Sequence, residues 1–317
     1  MPSERMQFAT ILLYIATVVV WGSTWIMMKY QLGVVPPSAS LTYRYLSAGI
    51  VILIGASLAG KQVRLAWRQH LWCALQGALM FSVNYWLTYL AAEHLTTGIV
   101  SVFFAGVSAV TMFIAWMLFQ RIPQGRALIG AWLGIAGTAL VFWPEIAGLP
   151  LDGPEVTSGF LTVLSVILFA AGGLVGARNL GAGMPRYATI GWGMVYGGIW
   201  MACLTVARGE AFTFEWTFEY IGSLIWVTVL GSGLVFVMYF VLIERIGPER
   251  ASYATVMFPV VALIISTFAE GYTWPLLAMI GVPLAIAGNA LVLSGQPSPI
   301  SQRTGSPSPR HRPNGQS

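Results

Sequence analysis

The polar side chains most capable of binding a solute lie on stripes within apolar segments of the sequence. Asn84 and Thr88 are one helical turn apart and share a face, which a further four-residue step extends back through Met80. Tyr85 follows directly beside this face. An asparagine in lipid is costly unless it finds a hydrogen-bond partner or water. This face can line a solute cavity, or it can form hydrogen bonds that hold helices together, and the sequence leaves both interpretations open.

Hydroxyl groups mark two further helical faces. The first contains Thr97, Ser101, Phe104, Ser108 and Thr111, and the second contains Ser252, Thr255, Pro259 and Ser266, with Tyr253 beside it. Small hydroxyls usually serve packing in membrane helices. The two faces nevertheless occupy matching positions in a repeat, which favours a shared cavity. The predicted cavity residues, with additions from neighbouring segments, are Trp21, Ser23, Asn84, Tyr85, Thr88, Ser101, Phe104, Ser108, Tyr239, Tyr253, Thr255 and Pro259.

Arg44 is the one basic residue well inside an apolar segment. A guanidinium group at this depth can bind a carboxylate through two parallel hydrogen bonds. Its position, about five residues from the end of the segment, instead favours an arginine whose side chain extends to the membrane surface. The sequence thus predicts a surface-reaching Arg44 and leaves its role open.

Catalytic chemistry is not indicated by the pattern of titratable residues. His70 lies at the start of an apolar segment, His94 and His311 lie in a loop and in the tail, and no acidic residue occupies the middle of a segment. Gly231-Ser232-Gly233 has the form of a nucleophile turn, but no histidine or carboxylate partner is at hand. No metal-ligand spacing and no phosphate-binding loop is present. We therefore predict no enzyme activity, no metal and no cofactor, and the missing buried carboxylate disfavours a proton-coupled exporter of cationic drugs.

The composition requires that these residues be positioned by membrane helices. The chain has 317 residues, of which 57% are hydrophobic and 9% are charged. Soluble domains carry about 25% charged residues, and a helix needs about 20 apolar residues to cross the hydrocarbon core. Ten segments meet this need, near residues 8–30, 39–59, 70–91, 97–119, 126–143, 157–179, 186–207, 219–242, 251–269 and 276–294. The fold class is an all-α membrane protein.

One apolar stretch occurs twice. IGAWLGIAGTALVF at 129–142 returns as IGVPLAIAGNALVL at 280–293, displaced by 151 positions (280 − 129), with nine of fourteen pairs identical. A repeat at half the chain length indicates duplication. The predicted organisation is a short N-terminus (1–7), a first five-helix repeat (8–143), an outer linker (144–156), a second repeat (157–294) and a disordered tail (295–317). Five helices per repeat is an odd number, so the second repeat is predicted to be inverted.

The basic residues predict the orientation. Of sixteen lysines and arginines, thirteen fall in one alternate set of connections together with both termini, one falls in the other set, and two lie near helix ends. Basic loops stay on the cytoplasmic side. Both termini are therefore predicted to be cytoplasmic, and the net charge of +5 belongs to these loops rather than to a nucleic-acid surface.

Several motifs resemble those of a known family. The sequence contains WGSTW at 21–25, YRY at 43–45 and RASYATVMFPVVALIISTFAEG at 250–271. With the duplicated glycine-rich stretch, this resembles the EamA-type branch of the drug/metabolite transporter superfamily over residues 8–294. The resemblance implies ten helices in two inverted five-helix repeats around a central cavity. One departure is that Ser108 stands where the first repeat would match Pro259, so a hinge attributed to that proline is either absent or built differently in the first repeat.

Within that branch, the chain looks most like bacterial exporters of aromatic and other neutral amino acids. The resemblance therefore implies a multi-pass inner-membrane exporter that works by alternating access, with an amino acid as substrate, the lipid bilayer as surroundings and no nucleic-acid partner. A monomer is expected, because the GxxxG pairs are accounted for by packing within one chain. The alternatives are export of another small metabolite or drug on the same scaffold and, from another class, an intramembrane enzyme.

Overall fold

The computed structural model describes residues 4–120, 125–148, 153–261, 264 and 274–293, and these are helical apart from short connections. The first half contains α1 (Glu4–Lys29), α2 (Pro37–Leu58), α3 (Trp67–Met80), α4 (Val83–Ala92), α5 (Thr97–Ala105), α6 (Val107–Phe119), α7 (Gly125–Val141) and α8 (Trp143–Ala147). The second half contains α9 (Pro154–Gly181), α10 (Arg186–Ala207), α11 (Phe218–Thr228), a π-helical turn (Val229–Leu234), α12 (Val235–Ile246), α13 (Pro248–Ala251), a 3₁₀ segment (Ser252–Met257) and α14 (Leu276–Leu293).

Within the described residues, six helical segments have the length and apolar composition needed to cross a membrane. They are Met6–Lys29, Pro37–Leu58, Gly98–Leu118, Pro154–Gly181, Arg186–Ala207 and Phe218–Ile246. Large apolar side chains are exposed on the outer surface of the bundle, among them Val51 (65%) in α2, Trp132 (69%) in α7 and Phe160 (72%) in α9. An apolar outer surface of this extent is what a lipid environment requires. The all-α membrane class is therefore confirmed.

Helices also occupy the positions of the other predicted segments, with breaks that the sequence pattern did not predict. The segment near 70–91 is divided between α3 and α4 at Phe81 and Ser82, where Ser82 has φ −137° and ψ −84°. The segment near 251–269 begins as α13 and a 3₁₀ turn. Its remainder lies largely outside the described residues, together with Ser266, the four-residue connection 149–152 and the predicted disordered tail.

The duplicated stretch packs against its own copy. A Cβ placed on Gly137 of α7 would lie 2.5 Å from the amide nitrogen of Ala285 in α14 and 2.6 Å from the carbonyl oxygen of Gly281. A Cβ on Gly288 would lie 2.6 Å from the carbonyl oxygen of Gly130. A shift of 151 positions converts the Gly130–Gly288 pair into the Gly281–Gly137 pair. The contact is therefore reciprocal, and it needs residues without side chains.

Helices α2 and α10 meet in the same reciprocal manner. A Cβ on Gly49 would lie 2.8 Å from the backbone nitrogen of Val195, and a Cβ on Gly198 would lie 2.8 Å from the backbone nitrogen of Leu46. Both relations follow from one shift of 149 positions (198 − 49 and 195 − 46). Two helix pairs, each with one member in either half, thus form close backbone contacts and join the halves.

Interhelical hydrogen bonds use many of the buried polar side chains. The amide of Asn179 in α9 donates to Gln76 Oε1 in α3 at 2.9 Å. Asn289 of α14 donates to the hydroxyl of Tyr14 at 2.8 Å and to the carbonyl oxygen of Tyr253 at 3.0 Å. Polar groups in an apolar environment are costly unless they are paired, and pairing across helices joins the bundle. These residues therefore hold the frame and do not face a cavity.

Candidate functional site

A cavity lies among α1, α2, α4, α5, α9 and the helical residues that follow the 3₁₀ segment. Counted together with the open space at its mouth, its free volume is about 400 Å³. The lining residues are Trp21, Thr24, Trp25, Met28, Arg44, Tyr85, Thr88, Phe104, Phe169 and Phe258. In α1 these residues occupy the last two turns. The cavity therefore lies in the half of the bundle where α1 ends.

Aromatic rings close the cavity at the level of Trp21. The indole ring of Trp21 lies 4.9 Å from the ring of Phe236 and 5.1 Å from that of Phe258, between centroids. The rings of Phe169 and Tyr239 lie 5.7 and 5.2 Å from it. Mostly edge-to-face contacts of this kind are favourable for aromatic rings. The cluster forms a dense floor below the cavity.

Further aromatic residues form the walls above this floor. The rings of Trp25 and Phe104 meet edge to face at 5.2 Å, and Phe104 lies 6.0 Å from Phe169. Tyr85 is half-buried on the opposite helix, α4. Thr88, one turn further, hydrogen-bonds to Ser165 of α9 at 2.7 Å. The interior is thus mainly aromatic, with a few polar groups at one side.

Of the twelve residues predicted to line a cavity, four line this one: Trp21, Tyr85, Thr88 and Phe104. Tyr239 is 2% exposed and lies behind the lining, against the rings of Trp21 and Phe169. Ser108 and Pro259 are buried without lining the cavity.

Four other residues that were predicted to line the cavity form hydrogen bonds outside it. The hydroxyls of Ser101 and Thr255 each donate to a carbonyl oxygen three residues earlier, at 2.6 and 2.7 Å. Ser23 accepts a hydrogen bond from the indole nitrogen of Trp226 at 3.3 Å. The hydroxyl of Tyr253 donates to the carbonyl oxygen of Ala127 in α7 at 2.7 Å.

Asn84 is fully buried, and its side chain forms no hydrogen bond with the described residues. The backbone carbonyl oxygen of Asn84, in contrast, lies 2.8 Å from each of the hydroxyls of Thr88 and Ser165 and accepts a hydrogen bond from this pair. A buried amide without a partner is costly. Asn84 therefore retains free hydrogen-bonding capacity beside a residue that lines the cavity.

Arg44 does not reach the membrane surface, in contrast to the sequence expectation. Its residue is 3% exposed, and it lines the cavity. Nε donates to Ser232 Oγ at 2.8 Å, and Nη2 lies 3.4 Å from the carbonyl oxygen of Gly231. The guanidinium also lies 5.0 Å from the ring centre of Tyr45 and 4.9 Å from that of Tyr85. These contacts hold the side chain inward, which the distance to the segment's end could not reveal.

The partners of Arg44 come from the π-helical turn. A π turn contains an additional residue compared with an α turn and often marks a functional site. Gly231 in this turn faces Thr24, because a Cβ there would lie 2.6 Å from Thr24 Cγ2. The turn thus brings a serine hydroxyl and a backbone carbonyl to the guanidinium, in place of the nucleophile role considered for Ser232.

The charged pairs of the described chain lie at helix ends. Arg186 pairs with Glu244, and Arg208 pairs with Glu210 at 2.5 Å. Burial raises the pKa of Glu210, but hydrogen bonds from Arg208 and Ser38 outweigh it and leave that pKa lowered. No group of three or more potential metal ligands occurs among the described residues. Arg44 is the charged residue in the cavity lining.

Six lining residues were not among those predicted: Thr24, Trp25, Met28, Arg44, Phe169 and Phe258. Thr24, Trp25 and Met28 follow Trp21 by three, four and seven positions, which is the spacing of one helical face. That signal was present in the sequence. Phe169 lies in a uniformly apolar helix, where spacing indicates no preferred face.

Replacing Tyr253 with phenylalanine is expected to lower stability without affecting the cavity. The hydroxyl bonds the carbonyl oxygen of Ala127, and a single hydrogen bond contributes about 0.5–1.5 kcal/mol. The melting temperature in detergent should fall, while solute binding stays unchanged. Tyr43→Phe is the control, because its hydroxyl donates to Thr213 in an exposed position. Lost binding with unchanged melting would contradict this assignment.

Known proteins share both the sequence pattern and the fold. The sequence pattern of the EamA-like transporter family matches residues 8–143 and 157–294. The chain is 25% identical over 283 residues to the uncharacterized inner membrane transporter YedA of Escherichia coli (strain K12), covering 89% of each chain. It is 26% identical to the uncharacterized transporter YvbV of Bacillus subtilis (strain 168), over 89% of this chain and 91% of YvbV.

Two further comparisons agree. Protein PecM of Dickeya dadantii (strain 3937) is 24% identical over 248 residues, which are 78% of this chain and 79% of PecM. A solved crystal structure superimposes with a TM-score of 0.74 at 14% identity, covering 94% of this chain and 99% of that one, and shows the same fold. The family matches cover most of the chain in two segments. The chain is a multi-pass membrane protein that belongs to the EamA-like transporter family.

Proposed function

We propose that this transporter exports neutral amino acids, aromatic ones included, through the cavity described above. The observation that carries the proposal is the lining. Six of its ten residues are aromatic: Trp21, Trp25, Tyr85, Phe104, Phe169 and Phe258. Sites for small molecules are mainly apolar with a few placed polar groups, and here Thr88 and Arg44 supply such groups. The aromatic or aliphatic side chain of a substrate amino acid would lie against these walls. Its charged amino and carboxylate groups would lie on the side near α2 and α4, where Arg44 and Thr88 are found.

Alternating access is supported by the relation between the halves. The family matches the chain twice, and α7 with α14 and α2 with α10 form reciprocal contacts. We propose ten helices in two inverted five-helix repeats, which can exchange inward-open and outward-open arrangements. The basic loops support cytoplasmic termini. A monomer in the bacterial inner membrane is the proposed working unit.

Counterflow in proteoliposomes tests this function. Liposomes with purified protein are loaded with unlabelled phenylalanine, tryptophan, methionine or threonine, and uptake of the labelled amino acid is measured. Thr88→Val should reduce uptake several-fold, because it removes a hydroxyl from the cavity. Thr138→Val is the matched control, since its buried hydroxyl bonds Gly134 of its own helix, outside the cavity.

The outcomes separate the proposal from its alternative. Uptake that depends on Thr88 but not on Thr138 supports both the substrate class and the cavity. Absence of uptake with all four amino acids contradicts the substrate class and favours another small metabolite or drug on the same scaffold. Uptake that is equal in both variants preserves the substrate class and removes Thr88 from the binding site.

A further inference from the structure

Arg44 has only neutral partners among the described residues. Its hydrogen bonds go to a serine hydroxyl and a backbone carbonyl, and its nearest titratable neighbours are Tyr45, Tyr85 and Tyr89. A guanidinium group has five N–H donors. The hydroxyl and carbonyl of the π turn, together with Tyr89, engage at most three of them. Donors therefore remain for a further acceptor.

A buried charge without a counter-ion is an expensive arrangement. Removing an ion from water costs much more than removing a neutral polar group, and an opposite charge offsets this cost. Two ion pairs of the described residues, Arg186–Glu244 and Arg208–Glu210, lie away from Arg44. The aromatic faces of Tyr45 and Tyr85 offset only part of the cost. Among the described lining residues, no carboxylate compensates the positive charge of Arg44.

A carboxylate on the solute would supply both the hydrogen-bond acceptor and the negative charge that Arg44 lacks. It accepts two parallel hydrogen bonds from a guanidinium and neutralises its charge. The rest of such a solute would lie on the aromatic walls, where Trp25, Phe104 and Phe169 form a continuous apolar surface.

The charge balance distinguishes two kinds of acid. A zwitterionic amino acid brings one negative and one positive charge, so the cavity stays positive after binding. Its ammonium also loses water without meeting a carboxylate among the described lining residues. A monocarboxylic acid lacks the ammonium and leaves the cavity neutral. Desolvation therefore disfavours the zwitterion relative to the monoanion.

We propose that Arg44 binds the carboxylate of the transported solute, and that the cavity holds an apolar monocarboxylate more tightly than the amino acid of the same carbon skeleton. This inference rests on the proposed function, because it takes the cavity to be the substrate site. It narrows the substrate class to organic acids recognised by their carboxylate, with the amino group not required.

Three probes that share a phenylethyl group test this. The purified full chain in detergent is dialysed to equilibrium with labelled 3-phenylpropionate, phenylalanine or 2-phenylethylamine. We expect 3-phenylpropionate to bind at least threefold more tightly than phenylalanine, and the amine at least tenfold more weakly than 3-phenylpropionate. Arg44→Gln should weaken binding of 3-phenylpropionate at least tenfold and should not weaken binding of the amine, because it removes a positive charge that repels the ammonium. Arg208→Gln, an exposed arginine at the end of α10, should change none of the three.

Several results would overturn the inference. They are equal binding of the amine and 3-phenylpropionate, phenylalanine binding tenfold more tightly than 3-phenylpropionate, no binding of any probe, or unchanged 3-phenylpropionate binding in a folded Arg44→Gln chain. If that variant does not fold, the three probes on the unmutated chain decide. Phenylalanine counterflow with no preference for 3-phenylpropionate would preserve the proposed function and refute this inference alone.

Discussion

Leucine in place of Gly137 is expected to abolish stable folding of the bundle. A Cβ at this position lies 2.5 Å from the backbone nitrogen of Ala285, and backbone atoms cannot move aside as a flexible side chain can. Overpacking costs about 1–3 kcal/mol and occasionally more, and here even alanine should reach that range. The measurement is the melting temperature and the elution profile in detergent, which should show aggregated protein for leucine.

The control for this prediction is Gly125→Leu in the same helix. A Cβ on Gly125 meets no atom within 4 Å. The variant should elute as a single species and melt within a few degrees of the unmutated chain. Equal stability of the two leucine variants would show that α7 and α14 do not depend on their close approach.

Alanine in place of Trp21 is expected to remove both stability and transport. The indole contacts four aromatic rings and forms the floor of the cavity. Truncating a buried tryptophan costs about 3–5 kcal/mol. Loss of the floor also removes the barrier at one end of the cavity, so that substrate is no longer held. Counterflow should fall at least tenfold, and the melting temperature should fall as well.

Two variants make this result interpretable. Trp132→Ala removes a tryptophan that is 69% exposed on the outer surface, and it should have little effect on either measurement. Trp21→Phe retains a ring and should recover part of the stability. Transport at the unmutated level in Trp21→Ala would contradict the role of the floor.

The frame of the protein could be predicted from sequence because its signals are long and periodic. Apolar segments of about 20 residues indicate membrane helices regardless of neighbours. The copied stretch at 129–142 and 280–293 predicted two related halves, and its glycines proved to mark the contact between α7 and α14. The breaks at Ser82 and at the π turn were not predictable, because they depend on packing between helices.

The site was less predictable, and hydroxyl-bearing faces were a weak guide. Ser101, Thr111 and Thr255 donate to carbonyl oxygens within their own helices. Serine and threonine can satisfy themselves in this way in any apolar surroundings. Their spacing therefore carries little information about a cavity. The aromatic spacing in α1 was more informative.

Arg44 shows why the position of a charged residue within an apolar segment is not enough to predict where its side chain points. Sequence distance to the segment's end measures whether the side chain can reach the surface. It does not measure what the neighbouring helix offers instead. The π turn at Val229–Leu234 supplies two acceptors from a segment about 190 positions away (232 − 44 = 188), and this tertiary contact fixes the inward direction.

The reciprocal glycine contacts have a consequence for how the two copies can diverge. Gly130 lies against Gly288, and Gly281 lies against Gly137, so each copy packs directly against the backbone of the other. A larger residue in one copy collides with the backbone of its twin, and no change in the twin's side chains can make room. Drift at these positions is therefore blocked in both copies at once. This coupling accounts for the two glycine pairs, Gly130/Gly281 and Gly137/Gly288, among the nine identical pairs of the copied stretch.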